Sequence, residues 1–358
     1  MERINVTKTF MPPREKYEAY LREIWERGQI TNQGPLLLDF EKKVKKHLGI
    51  GDFHFVTNGT VALQIALKAL DISEGEVITT PFSYVATVSA ILWERCQPVF
   101  VDIEPDSSFC IDADKIEEAI TPQTKAILAV HVFGNPCDVE KIDTIARKHN
   151  IKVIYDAAHA FGVEYKGKSL LDYGDISACS FHATKLFHTV EGGSLTAKDK
   201  VVSEKVELIK KFGHNDDHHY MLGINAKASE LQAAMGLCNL EYVDDHIDQR
   251  GKLVELYSRL LDGKFQTLKI NPETKYNNAY FPVVMESESQ LLGLKSKLEE
   301  HNVFPRRYFY PSLNTLPYIT GAQNCAVSES IASRIMCLPL YVGLEVKIVR
   351  KICEIMNQ

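Results

Sequence analysis

The sequence predicts an α/β fold that has a large domain with a mixed, mainly parallel sheet and a smaller C-terminal α+β domain. From about residue 50 to residue 200, short β-rich runs alternate with helical patterns, which is typical of parallel strands joined by crossover helices. After Gly213 this alternation gives way to a long helical stretch. The chain has 358 residues, of which 45% are hydrophobic, so it can build one large core and a smaller one.

The elements of the first part follow each other in a regular order. The β-rich runs are FHFVT, EVITT, PVFVDI, KAILAVHV, IKVIYDAA and ISACSFH. The helical patterns between them are VALQIALKAL, DADKIEEAI and CDVEKIDTIARKH. Because ligands of such sheets collect at the carboxyl ends of the strands, we expect the functional residues at those ends.

The second part of the chain has a different organisation. Residues 228–261 contain strong helix formers throughout and are predicted to form one long helix that leads into the smaller domain. The last hundred residues combine the strand-like FPVVM, the helical SQLLGLKSKLEEHN, the loop PRRYFYPSL and a C-terminal helix. We therefore expect an N-terminal arm and large domain at 1–240 and a small domain at 241–358.

Composition and charge exclude several classes of protein. The net charge of −6 gives no basic footprint for nucleic acid or for anionic membrane. No run approaches the roughly 20 apolar residues of a membrane span, and the N-terminal residues lack an apolar signal region, so a cytoplasmic protein is expected. Eight cysteines are scattered without a CxxC pair, which indicates neither a zinc site nor a disulfide framework.

A possible anion site follows the first predicted strand. In TNGT, Gly59 and Thr60 open a helix, where free backbone N–H groups attract anions and the threonine hydroxyl adds a donor. The segment is neither a Walker loop nor a GxGxxG fingerprint, so a nucleoside triphosphate or a dinucleotide is not expected here. The alternative interpretation is an ordinary turn with a helix cap.

Two further strand ends carry candidate catalytic groups. Asp156 closes the run IKVIYD, and a carboxylate there needs a cation such as a protonated ring nitrogen, with His159 close by. It could instead cap the next helix. Ser180 and Lys185 follow the next strand, where a less solvated lysine amine can react with an aldehyde.

With these residues in order, the sequence resembles the DegT/DnrJ/EryC1/StrS family of sugar aminotransferases, which have the fold-type I architecture and use pyridoxal 5′-phosphate. The resemblance extends through nearly the whole chain. It is carried by TNQGPLLLDFEKKVKKHLG, TNGTVALQIALKAL, TPFSYVATVSAI, VHVFGNPCDV, YDAAHAFG, SFHATKLFHTVEGGSL, GINAKASELQAAMGL and RRYFYPSL.

The resemblance implies roles for residues around the cofactor ring. Lys185 would form the Schiff base with the cofactor, and Asp156 would pair with the pyridinium nitrogen. His159 would lie beside the phenolic oxygen, and Tyr84 would stack on the ring face.

The resemblance also implies how the phosphate is held and how the protein assembles. Gly59, Thr60 and Ser180 would bind the phosphate within one chain. Asn225 of GINAK would reach it from the neighbouring subunit of a homodimer.

The loop PRRYFYPSL is a candidate substrate site. Arg306 and Arg307 could pair with a diphosphate, while Tyr308 and Tyr310 could pack on a sugar or a base. The alternative is a basic loop beside a partly buried aromatic cluster. The run from His214 to His219 has metal-ligand residue types, but we expect a polar loop there and no metal site.

The resemblance implies transfer of an amino group from L-glutamate to a nucleotide-linked keto-sugar. The motifs are most similar to members that convert dTDP-4-keto-6-deoxy-D-glucose to dTDP-4-amino-4,6-dideoxy-D-glucose for surface polysaccharide such as O-antigen. Alternatives are a dTDP-3-keto-6-deoxyhexose 3-aminotransferase, a sugar dehydratase and a non-catalytic sensor that binds the cofactor. Dehydratases of the family carry histidine in place of the lysine, whereas this chain retains Lys185.

Overall fold

The computed structural model describes residues 3–321 and 323–358, which form twelve α-helices and seventeen β-strands. The helices are α1 (Arg14–Arg27), α2 (Pro35–Leu48), α3 (Gly59–Ala69), α4 (Ala86–Trp93), α5 (Ala113–Ile116), α6 (Val139–His149), α7 (Lys200–Ile209), α8 (Glu230–Leu240), α9 (Val243–Leu260), α10 (Glu288–Glu300), α11 (Ala326–Arg334) and α12 (Val346–Met356). In this part of the chain, no helix is both long and apolar enough to cross a membrane.

The strands of the first half are β1 (Ile4–Asn5), β2 (His54–Val56), β3 (Glu76–Thr79), β4 (Gln97–Phe100), β5 (Thr124–Val130), β6 (Lys152–Asp156), β7 (Glu164–Tyr165), β8 (Lys168–Ser169) and β9 (Ile176–Ser180). The later strands are β10 (Gly193–Ala197), β11 (His214–Asn215), β12 (His218–His219), β13 (Gln266–Thr267), β14 (Thr274–Lys275), β15 (Phe281–Val284), β16 (Val303–Phe304) and β17 (Ile335–Leu338).

A seven-stranded sheet forms the centre of the molecule, in the order β2-β10-β9-β6-β5-β3-β4. The pairs from β9 to β4 are parallel, and only β10 runs antiparallel to its two neighbours. This arrangement confirms the predicted mixed, mainly parallel sheet. The six β-rich runs read from the sequence supply six of these seven strands, all except β10. Strands β5, β6 and β9 are buried along most of their length, as a sheet covered by helices requires.

The register of the sheet brings several strand ends together. Val130 at the end of β5 pairs with Asp156 at the end of β6, and Asp156 pairs with Ala178 of β9. Ser180 ends β9 and lies opposite Gly193, the first residue of β10. The carboxyl ends of three parallel strands therefore meet along one edge of the sheet, as we expected for the functional residues.

The C-terminal part has its own core. Strands β13, β15 and β17 form an antiparallel sheet, and side chains of α9, α10 and α12 pack against it. The N-terminal strand β1 pairs with β16 through Ile4 and Val303, so the start of the chain is joined to this second core. An α+β arrangement follows the large α/β part, as predicted.

The prediction of one long helix over residues 228–261 is wrong, since the structure has two helices there. Helix α8 ends at Leu240, and α9 begins at Val243. Asn239 near the end of α8 donates to the backbone carbonyl of His188 at 2.9 Å. Helix α8 packs on the core of the large part, whereas Leu253 and Tyr257 of α9 pack on the C-terminal core. Tertiary packing therefore overrides a sequence that is helix-forming throughout.

Glu230, at the start of α8, ties the N-terminal helices to the rest of the fold. Its fully buried carboxylate accepts from the backbone N–H groups of Leu36 and Leu37 at 3.1 and 2.8 Å. It also pairs with Arg27 at 3.0 Å. These bonds satisfy free N–H groups in the first turn of α2 and compensate the buried charge.

We expect Glu230→Ala to lower the free energy of unfolding by about 3–5 kcal/mol, because the mutation leaves two buried N–H groups without their partner and removes one of the two carboxylates that pair with Arg27. Urea unfolding followed by circular dichroism measures this change. Glu241→Ala is the matched control, since Glu241 forms an exposed ion pair with Lys16 and its loss should have a much smaller effect. Equal effects of the two substitutions would contradict the role of Glu230.

Candidate active site

A cavity of about 250 Å³ opens at the carboxyl edge of the central sheet. It brings together most of the residues that the sequence singled out. The predicted residues that line it are Gly59, Thr60, Tyr84, Asp156, His159, Ser180, Lys185, Arg306 and Tyr308. Three others, Asn225, Arg307 and Tyr310, are not among the residues that form its wall.

Asp156 is the buried carboxylate of the cavity, with 6% of its surface exposed. Its Oδ2 accepts a hydrogen bond from the Thr87 hydroxyl at 2.7 Å, and its Oδ1 accepts from the N–H of Ala158 at 3.1 Å. Burial raises the pKa of the carboxyl above its ordinary value, whereas these hydrogen bonds and the positive charge of Lys185 oppose the rise. A cation bound in the cavity would balance the negative charge of the Asp156 carboxylate.

His159 presents a neutral ring to the same cavity. Its Nδ1 accepts the backbone N–H of Phe133 at 3.2 Å, so the remaining proton of the neutral ring lies on Nε2. Burial, followed by the charge of Lys185, holds the pKa of His159 well below its ordinary value. The ring lies nearly parallel to those of Phe133 and Phe309, at centroid distances of 6.2 and 5.8 Å. The imidazole is therefore fixed as a hydrogen-bond donor through Nε2.

The backbone of Phe133 is held in an uncommon conformation to make this contact. Its φ is +56°, in the left-handed region that large side chains rarely occupy. The ring of Phe133 is fully buried among Phe82, Phe109 and Phe309, which offsets the backbone strain.

Lys185 lies in a short loop after strand β9. The backbone N–H of Lys185 donates to the carbonyl of His182 at 2.9 Å and closes a turn in this loop. The N-terminal arm supports the loop, since the Thr9 hydroxyl donates to the carbonyl of Ala183 at 2.9 Å. Burial lowers the pKa of Lys185, and the carboxylate of Asp156 partly opposes this change. A lowered pKa leaves more of the amine uncharged and nucleophilic at neutral pH.

The start of helix α3 forms one end of the cavity. The Asn58 side chain caps the helix by accepting the N–H of Val61 at 2.9 Å. The first backbone N–H groups of an α-helix, here including those of Gly59 and Thr60, have no acceptor within the helix. A Cβ atom at position 59 would lie 2.9 Å from Cβ of Ser180, so glycine leaves space between the helix start and the strand end. The geometry suits a bound phosphate.

His131 lines the cavity but was not among the predicted site residues. Its Nδ1 accepts the N–H of Cys137 at 3.1 Å, so the proton of the neutral ring lies on Nε2. Burial lowers the pKa of His131 to about 3, which keeps the ring neutral. Nε2 is buried and has no protein partner in the part of the chain that the structure describes. The quoted segment VHVFGNPCDV contains this histidine, but nothing in the pattern indicated where its ring would lie.

The mouth of the cavity carries aromatic and charged groups. Tyr84 is 54% exposed on one wall, and Arg306 lies over the ring of Tyr308 at 4.8 Å on another. Arg307 points away from the cavity wall, where it pairs with Glu288 of α10 at 2.7 Å and lies 3.4 Å from the ring centroid of Tyr310. The predicted substrate loop therefore contributes Arg306 and Tyr308 to the cavity, whereas Arg307 and Tyr310 contact each other outside it.

Asn225 and the histidine-rich run lie outside the cavity wall. Asn225 is exposed, and its side chain accepts from Lys227 at 2.8 Å. The run from His214 to His219 forms a small antiparallel hairpin of β11 and β12, which corrects the expectation of a loop. Within residues 3–321 and 323–358, no group of three or more His, Cys, Asp or Glu side chains is arranged to hold a metal ion.

The residues of the cavity fit pyridoxal phosphate. Asp156 can face a protonated ring nitrogen, His159 can donate to the phenolic oxygen, and Lys185 can bind the aldehyde carbon. The start of α3 with Ser180 offers an anion site for the phosphate.

Known proteins with similar sequences and structures agree with this geometry. A dTDP-4-amino-4,6-dideoxy-D-glucose transaminase of Shigella dysenteriae is 42% identical over 363 residues, which cover 99% of this chain and 98% of that protein. The solved structure of DesI in the presence of its TDP-sugar product has a TM-score of 0.94 at 26% identity, covering 100% of this chain and 93% of that one. The ntda protein of Bacillus subtilis, solved with the bound cofactor PMP, has a TM-score of 0.88 at 28% identity, covering 96% and 82%.

A family model also matches residues 13–357, which is nearly the whole chain. Together with the cavity, this match confirms the resemblance read from the motifs, the fold and the dependence on pyridoxal phosphate. The chain belongs to the DegT/DnrJ/EryC1/StrS aminotransferase family.

Proposed function

We propose that the protein transfers the amino group of L-glutamate to dTDP-4-keto-6-deoxy-D-glucose and so forms dTDP-4-amino-4,6-dideoxy-D-glucose. The observation that carries this proposal is the 42% identity, over almost the full length of both chains, to the transaminase of Shigella dysenteriae that is named for this sugar. In this proposal the reaction takes place in the cytoplasm, and the amino sugar is used to make surface polysaccharide such as O-antigen.

Lys185 has two tasks in this proposal. When bound, pyridoxal phosphate supplies an aldehyde that receives the amino group and a ring that withdraws electrons from the α-carbon of the donor. Nζ of Lys185 would hold the cofactor at its aldehyde carbon. As a free amine, Lys185 would accept a proton from the α-carbon of the donor, and its lowered pKa suits this exchange.

Asp156 and His159 control the ring in the proposed site. The Asp156 carboxylate accepts a hydrogen bond from the protonated ring nitrogen, and the two opposite charges stabilise each other in the buried cavity. The Nε2–H of His159 donates to the phenolic oxygen. Tyr84 lies on the ring face, where its aromatic side chain excludes water from one side.

The phosphate is held by groups from two chains in the proposal. Gly59, Thr60 and Ser180 bind it at the start of α3 within one subunit. Asn225 of the other subunit of a homodimer completes the site, which agrees with its exposed position away from the cavity wall of its own chain. An isologous dimer supplies this contact to both sites equally.

Arg306 and Tyr308 form the substrate side of the proposed site. A protein of net charge −6 needs a local cation to bind the diphosphate of a nucleotide sugar, and Arg306 is exposed at the cavity mouth. Tyr308 offers an aromatic face to the sugar or the base. Arg307 and Tyr310 support the loop from behind through the contacts with Glu288 and with each other.

The proposed reaction is tested with purified protein, pyridoxal phosphate, dTDP-4-keto-6-deoxy-D-glucose and glutamate labelled in its amino nitrogen. We expect the label in the sugar product by mass spectrometry and on C4 by nuclear magnetic resonance. Amination of C3 of a 3-keto sugar instead would identify a 3-aminotransferase. A deoxygenated product without label would identify a dehydratase, and cofactor binding without turnover of any keto-sugar would identify a sensor.

Arg306→Ala should raise the KM for the nucleotide sugar by about 10- to 150-fold, which corresponds to the loss of one charge-assisted contact of ~1.5–3 kcal/mol. Steady-state kinetics measure this change. Arg307→Ala is the matched control, because Arg307 is bound to Glu288 and should affect the free energy of unfolding more than KM. An unchanged KM in Arg306→Ala would remove this residue from the substrate site.

Lys185→Ala and Asn225→Asp should each abolish activity, the second because a carboxylate would face the cofactor phosphate. Refolding the two variants together should restore activity, since a mixed dimer has one site with both changes and one site with neither. Differently tagged chains allow mixed dimers to be isolated and assayed. Mixed dimers without activity would show that Asn225 serves its own chain, and an active Asn225→Asp parent would show that it has no role.

A further inference from the structure

The Asp156 carboxylate is oriented by a residue from a different part of the chain. Thr87 lies in helix α4, 69 residues before Asp156, and is fully buried. Its hydroxyl donates to Oδ2 of Asp156 at 2.7 Å, while the N–H of Ala158 binds Oδ1 at 3.1 Å. A threonine within a helix usually bonds a carbonyl of its own preceding turn. Here the hydroxyl reaches across to the central sheet instead.

The hydroxyl of Ser83 lies next to that of Thr87 and extends the hydrogen-bonded contact with Asp156. The Oγ atom of Ser83 lies 2.7 Å from Oγ1 of Thr87. Because an ionised carboxylate only accepts hydrogen bonds, the single hydroxyl proton of Thr87 is directed at Asp156, and Ser83 must donate to Thr87. The three groups therefore form a directed chain, and each bond polarises the next toward the carboxylate. Ser83 lies on the cavity wall, whereas Thr87 lies behind it.

The same short segment also supplies an aromatic wall of the cavity. Tyr84 lies one turn before Thr87, and the N–H of Thr87 donates to its carbonyl at 3.2 Å. The segment PFSYVAT thus places Tyr84 on the cavity wall and Thr87 at the Asp156 carboxylate in one local structure. A shift of this segment would move both groups together.

Because Asp156 is buried, its carboxylate needs hydrogen-bond donors such as the Thr87 hydroxyl. Burial favours the neutral form of a carboxyl, and a neutral Asp156 could not stabilise a protonated ring nitrogen. Lys185 is the charged group that acts on Asp156, and its amine is engaged by the cofactor aldehyde when the cofactor is bound. The hydrogen bonds from Thr87 and Ala158 then remain as the protein groups that favour the charged form.

We propose that Thr87, oriented by Ser83, is a positioning residue that keeps Asp156 ionised and aims its carboxylate at the ring nitrogen of the cofactor. The inference rests on the proposed role of Asp156. It assigns Thr87 an effect on cofactor binding and on proton removal from the amino donor, although Thr87 itself touches neither molecule.

The test is a double-mutant cycle between Thr87→Val and Asp156→Asn, with the cofactor dissociation constant and the single-turnover rate with glutamate as readouts. Valine keeps the shape of threonine and removes the hydroxyl. We expect Thr87→Val to weaken cofactor binding by about tenfold or more, because one hydrogen bond to a charged group is lost. In the Asp156→Asn background, the same substitution should change binding by less than about threefold.

Three further variants separate positioning from structural support. Thr87→Ser keeps a hydroxyl and should restore cofactor binding to within about threefold of the unchanged protein. Ser83→Ala should produce a smaller loss than Thr87→Val, since it removes only the orienting donor. Thr79→Val is the matched control, because Thr79 is equally buried but donates to the carbonyl of Leu128, outside the chain of hydroxyls.

Each outcome decides the inference. Equal effects of Thr87→Val in both backgrounds, or no effect in either, would overturn it. If Thr87→Val fails to fold, Ser83→Ala and Thr87→Ser decide the question, and wild-type binding in Ser83→Ala together with a lack of rescue by serine would reject the proposal. An Asp156→Asn variant with unchanged binding and rate would instead refute the proposed role of Asp156 itself.

Discussion

A charged carboxylate is stable at the buried end of a strand only if fixed donors and a cation surround it, and several elements of this fold meet at Asp156 to provide them. Strand β6 carries the residue between β5 and β9, helix α4 supplies the hydroxyl of Thr87, and the loop after β9 brings Lys185. The parallel arrangement of the three strands is what brings these groups to one edge. Protein donors occupy one position on each carboxylate oxygen and leave the rest of the group free for a ligand.

The two buried histidines of the cavity have the same hydrogen-bonding arrangement. His159 and His131 each accept a backbone N–H at Nδ1, and burial lowers the pKa of both rings. Both rings therefore remain neutral and present an Nε2–H donor. The charged groups of the cavity are therefore Asp156, Lys185 and the groups at the mouth, and neither of these two imidazoles adds a positive charge beside Lys185.

Most of the fold could be predicted because the central strands are buried on both faces and are separated by helices with clear periodicity. Strands β5, β6 and β9 end within one or two residues of the predicted runs. The interruption at Glu241 and Tyr242 could not be predicted, since no glycine or proline marks it and the cause is packing on two different cores. Two-residue strands such as β11 are also too short to produce a periodic pattern.

The sequence predicts which residues come together where topology alone determines their position, but not where side chains from distant segments meet. Asp156 and Ser180 end neighbouring parallel strands, so their proximity follows from the order of the elements. The contact of Thr87 with Asp156 depends on the angle at which α4 packs against the sheet, which no local pattern records. Arg306 and Arg307 are adjacent in sequence, yet one faces the cavity and the other binds Glu288, because residues next to each other in an extended loop point to opposite sides. Composition indicated a basic, aromatic loop, but the bridge between Arg306 and Cys337 of β17 accompanies the placement of Arg306, and not Arg307, at the cavity.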